Sequence, residues 1–71
     1  MTDAELTAKA IEASGLSARR FAEWFLTRDE RTVRRWQSGE QEMPETARRR
    51  ITWFLELSDA RRKRLVTLLS A

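Results

Sequence analysis

Helix breakers are scarce in this chain and widely spaced. Gly15 and Gly39 are the only glycines and Pro44 the only proline in 71 residues. They cut the sequence into pieces of helical length. Ala, Leu, Arg and Glu dominate the pieces, and these are good helix formers. No segment alternates polar and apolar residues for long enough to read as a strand. The expected fold is all-α: one compact domain over residues 1–71, a bundle of about five helices. A domain so short buries a modest core and has little stability to spare.

Each helix has a plausible start and stop. Thr2 followed by Glu5 fits a capping box for a first helix reaching about Ala13, with Leu6, Ala10 and Ile11 turned inward. Gly15 suits a left-handed position just past its end. Ser17 caps a second helix from about Ala18 to Phe25, with Phe21, Ala22 and Phe25 as its buried stripe. Leu26, Thr27 and Arg28 then form a turn. Asp29 caps a third helix, Val33 and Trp36 point inward from it, and Gly39 closes it. Pro44 falls in the first turn of a fourth helix, whose Ala47, Ile51, Phe54 and Leu55 share one face. Ser58 caps a fifth, with Leu65, Leu68 and Leu69 as its apolar stripe.

Cysteine and histidine are both absent. That removes disulfides, thiolate nucleophiles and the commonest general base and zinc ligand. The carboxylates fall at caps, first turns and exposed faces, and no glycine-rich loop leads into a helix with a lysine. An enzyme is not expected, nor a metal, a cofactor or an evident small-molecule ligand. The N-terminal MTDAELTAKA is acidic and amphipathic, unlike a signal peptide, and nothing approaches a membrane span. A soluble cytoplasmic protein is the expectation.

Charge points toward a partner. The formal net charge is only +3, but all 14 cationic residues except Lys9 and Lys63 are arginine. Arginine forks match phosphates and guanine edges. They also cluster: Arg19 with Arg20; Arg28, Arg31, Arg34 and Arg35; Arg48 to Arg50; Arg61 to Arg64. Solvated helix faces would account for some of these. A polyanion is the natural partner for the set as a whole.

Residues 16–39 read LSARRFAEWFLTRDERTVRRWQSG. This resembles the helix-turn-helix of the Xre/Cro/lambda-repressor-like DNA-binding family. Leu16, Ser17, Phe21, Ala22, Phe25, Thr32, Val33, Trp36, Gln37 and Gly39 fall on its pattern, and MPETARRR resembles its next helix. The resemblance covers about residues 3–57, and RTVRRWQSG is its most specific run. Three departures stand out. The usual turn glycine is missing and one extra residue precedes the cap, so either the turn is longer or the second helix runs on. Ala18 occupies the place of a phosphate-holding glutamine. The loop from Glu40 to Glu45 carries three glutamates, in a stretch that runs beside DNA in the family.

The resemblance implies a transcriptional regulator, a repressor in particular, of the kind found in phage or mobile-element operons. It would bind a palindromic duplex operator as a homodimer, with the third helix in the major groove. Glu30, Arg31, Arg34 and Arg35 are the expected base-contacting residues. Glu30 could accept from cytosine or serve only the helix dipole. Ser17, Arg19, Arg20 and Arg28 are expected on phosphates. Trp36 is expected in the core, whereas Trp24 and Trp53 sit beside the core stripes. Trp53, Leu57, Val66 and Leu69 are candidates for a dimer interface, ordinary core being the plainer reading. The rival function is a protein-interaction or antitoxin-type adaptor on the same fold. RNA binding ranks below both, because the A-form major groove is too narrow for a helix.

Overall fold

The structure is a computed structural model that describes residues 2–70. It is all-helical, with five helices in one compact globule. Helix α1 spans Asp3–Ser14. Helix α2 opens as an α-turn, Ala18–Arg20, and continues without a break as a π-helical segment, Phe21–Leu26. Helix α3 is Glu30–Ser38, α4 is Glu45–Glu56 and α5 is Asp59–Ser70.

The helix ends follow the local chemistry. Thr2 Oγ1 accepts from the Glu5 amide at 3.1 Å and donates to the Glu5 carboxylate, also at 3.1 Å, which closes a box around the first turn of α1. Ser17 accepts from the Arg20 amide, Asp29 from that of Thr32 and Ser58 from that of Arg61. Gly15 and Gly39 end α1 and α3 at φ of 72° and 84°, where a side chain would be strained. Pro44 lies one residue outside the expected place: it is the extended residue before α4, with Glu45 opening the helix.

Helix α1 packs across α3 and α4, with α5 against its side. Phe21, Phe25 and Phe54 form an aromatic triangle with ring centroids 4.9 to 5.8 Å apart. Trp36, Val33 and Ile51 complete the fully buried set, and Ala10 and Ala22 let neighbouring helices approach closely. Leu6, Ile11 and Leu55 pack on its margin. Thr7 is buried too, its hydroxyl donating to the Asp3 carbonyl at 2.8 Å.

The second half of α2 is wound as a π-helix. The helix runs on past Phe25, and the amides of Thr27 and Arg28 both donate to the Ala22 carbonyl. A π-turn carries more residues than an α-turn. Leu26, expected in a loop, is thereby rotated into the core and is only 3% exposed. Thr27 ends the helix in a left-handed conformation at φ 53°, where glycine would be the unstrained choice.

Helix α5 differs from its expected register. Leu65 and Leu69 do pack on the core, accompanied by Val66, but Leu68 is 68% exposed. α5 covers only an edge of the small core, so one narrow face is used and Leu68 falls outside it.

A bidentate clamp closes the bundle. Arg48 Nη2 lies 3.1 Å from both Asp3 carboxylate oxygens, while the Met43 amide donates to Asp3 Oδ2 at 3.3 Å. This ties the start of α1 to the loop before α4. It buries Met43 and raises the pKa of the Arg48 guanidinium, first through the bond to Asp3 and then through that to Glu45.

Candidate nucleic-acid interface

The exposed side of α3 is set by what its buried side must do. Val33 and Trp36 are each 1% exposed and face the core. At about 100° per residue, Arg31, Arg34, Arg35 and Ser38 then share the opposite face. All four are exposed, and with Glu40 they line one shallow surface concavity of about 250 Å³. Asp29 begins the helix, its carboxylate accepting from the Thr32 amide at 2.9 Å. That bond holds the Asp29 carboxyl below its ordinary pKa, with the charge of nearby Arg31 acting in the same direction.

The four expected base-contacting residues thus adjoin one another on α3, but they are not equivalent. Glu30 is half-buried and engaged: its carboxylate lies 2.6 Å from Arg34 Nη2. Arg35 has Glu40 3.9 Å away. Arg31 makes no ion pair among the described residues, so its guanidinium is the most available of the three. Ser38, which sequence reasoning passed over, completes the stripe because it lies one turn beyond Arg34 and Arg35.

The residues expected on phosphates are more dispersed. Ser17 and Arg19 sit at the start of α2, where Arg19 pairs with Glu23 at 3.1 Å. Arg20 lies over the Trp24 ring, 5.2 Å from its centroid, a cation–π contact that keeps half-buried Trp24 under a polar cover. Arg28 is exposed in the turn and makes no ion pair among the described residues. It shares a separate concavity with Arg50, a residue the sequence marked only as part of an arginine run.

The expected dimer residues divide. Trp53 is 52% exposed, whereas Leu57, Val66 and Leu69 are partly buried against the core. Trp53 and Leu69 line a largely apolar groove with Phe25, Leu65, Arg49 and Arg50; Leu57 and Val66 lie outside it. Among the described residues no cluster of carboxylates could hold a metal ion, and no helix is long and apolar enough to cross a membrane.

No family model, no curated protein and no solved structure matches this chain.

Proposed function

We propose that this protein is a sequence-specific duplex-DNA-binding regulator, a transcriptional repressor that lays α3 in the major groove and acts as a homodimer. The observation that carries the reading is the stripe of Arg31, Arg34 and Arg35 along the exposed face of α3, opposite Val33 and Trp36. Packing requires nothing of these three positions. A B-form major groove is about 12 Å wide and admits a helix, and guanidinium forks match the acceptor pair of guanine. The α2–α3 pair, joined by the short turn 27–29, is the helix-turn-helix of this reading. It uses DNA chemistry that needs no metal or cofactor.

A gel shift of the protein on the DNA upstream of its own coding sequence, with random duplex as competitor, tests the reading. A shifted band that survives excess competitor is the expected result. Equal competition by every duplex would leave only general polyanion binding and remove the repressor role. No binding even at low salt would turn attention to the adaptor reading, for which the exposed Trp53 and Leu68 are the supporting observation.

A further inference from the structure

A second cationic site lies away from the α3 stripe, in a concavity of about 270 Å³ between the α2–α3 turn and the first turns of α4. Arg28 and Arg50 line it together with Thr27 and Thr46. We propose that this pocket binds a phosphate-class oxyanion between the Arg28 and Arg50 guanidiniums, with the Thr46 hydroxyl as a third donor.

Four observations converge on it. Neither Arg28 nor Arg50 has a carboxylate partner among the described residues, whereas Arg19, Arg34, Arg48 and Arg49 each have one. No carboxylate lines the pocket. The nearest ones by sequence are already engaged: Asp29 holds the Thr32 amide, and Glu45 holds Arg48 and Arg49. Arg50 is also held in place, its Nη1 donating to the Phe25 carbonyl at 3.3 Å. That carbonyl belongs to the last turn of α2, where helical carbonyls lack an intrahelical partner. Its remaining guanidinium N–H groups stay free to meet an acceptor.

The shape of this corner follows from how α2 ends. The π winding carries the chain to Thr27, and the left-handed turn there leads directly to Arg28. Strained backbone of this sort collects at binding sites. The Thr27 hydroxyl already donates to the Leu26 carbonyl at 2.6 Å, so Thr27 shapes the pocket without being a ligand. Thr46 makes no such internal bond among the described residues and retains its proton for a ligand. A water takes about 30 Å³ of liquid volume, so the pocket accommodates a tetrahedral oxyanion together with part of its hydration shell. Two guanidiniums facing one anion give the charge-assisted, forked bonding typical of phosphate recognition.

Phosphate chemistry has two sources here, a backbone phosphate of DNA or a free phosphorylated ligand, and the site is independent of whether α3 reads bases. The experiment is an amide-resolved NMR titration with inorganic phosphate, against sodium chloride at equal ionic strength. Shifts specific to phosphate are expected at Arg28, Thr46 and Ala47. Arg28→Gln should weaken phosphate binding by about tenfold with an unchanged melting temperature, since Arg28 holds no other side chain. Thr46→Val should weaken it less. Arg50→Gln is informative only with its melting curve, because it also removes the bond to Phe25. A parallel arm measures the variants on a random duplex. If the anion is a DNA phosphate, Arg28→Gln lowers affinity for every sequence and removes roughly one unit of salt slope. If it is a free ligand, duplex binding stays the same while the phosphate response is lost. Shifts no larger than those in chloride, or shifts unaltered by Arg28→Gln, would overturn the site.

Discussion

Three consecutive arginines, Arg48, Arg49 and Arg50, show how far residue type alone underdetermines role. Successive helical positions diverge by about 100°. Arg48 therefore clamps Asp3, Arg49 reaches Glu45 in solvent, and Arg50 holds the Phe25 carbonyl. The α3 arginines divide in the same way. Arg31→Ala and Arg35→Ala should each cost about 1–3 kcal/mol on a specific site and relax base preference there. Titrations on the operator and on single-base variants check this; full affinity and selectivity in both mutants would remove α3 as the reader. Glu30 occupies Arg34, and an exposed pair of that kind adds only about 0–1 kcal/mol to stability. Glu30→Gln should therefore release Arg34 and strengthen binding to all duplexes alike. A loss confined to one sequence would instead assign Glu30 to a base. In the core, the Trp36 indole N–H finds no hydrogen-bond partner among the described residues. Trp36→Ala should cost about 3–5 kcal/mol through the cavity it leaves. Trp36→Phe should cost much less, because leaving such a donor buried and unpaired already costs about 1–3 kcal/mol. Calorimetry on the two variants separates the volume lost from the polar group removed.

At the scale of elements, the caps were legible in the sequence because capping is local. Thr2, Ser17, Asp29 and Ser58 each accept from an amide three residues on, as their positions imply. Buried faces spaced at helical intervals were legible for the same reason. The π winding of α2 was not. Phe21, Ala22 and Phe25 suit either winding, so burial of Leu26 emerges only from the three-dimensional path. Threonine gives no hint of a left-handed residue either, since β-branched side chains are poor there. Thr27→Gly should relieve that strain, worth about 1–2 kcal/mol, against the greater chain entropy of glycine, about 0.5–1 kcal/mol. The expected net effect is a modest rise in melting temperature; a fall would show that the threonine hydroxyl outweighs the backbone. The cap of α3 carries a pH dependence. The Thr32 amide lowers the Asp29 pKa from its ordinary 3.8. The carboxylate therefore contributes stability above that value, and the contribution is lost as pH falls below it, through the lower folded value. Acid melts should show this limb in the native chain and a shallower one in Asp29→Ala. Equal limbs would mean that the cap does not titrate with folding.

For the molecule as a whole, size decides how specificity can arise. The globule measures 33 × 22 × 18 Å, and under the proposed function one α3 would cover only a few base pairs, too few to mark a site within a genome. Two copies related by a two-fold axis would double the contacts and place their α3 helices on half-sites about 34 Å apart, one turn of DNA. Among the described residues the exposed large apolar side chains, Trp53 and Leu68, lie on α4 and α5. Two such side chains are little for a stable free dimer, which predicts pairing that is weak in solution and completed on DNA. Leu57, Val66 and Leu69 pack partly on the core, so substituting them would confound folding with association. Trp53→Ala and Leu68→Asp are cleaner tests. Both should preserve the melting transition and half-site affinity while abolishing cooperative binding to a palindrome, read as loss of the sigmoidal isotherm and of symmetric footprint protection. Symmetric protection that survives both changes would move the dimer contact elsewhere. A single asymmetric protected half-site in the native protein would show that it acts as a monomer.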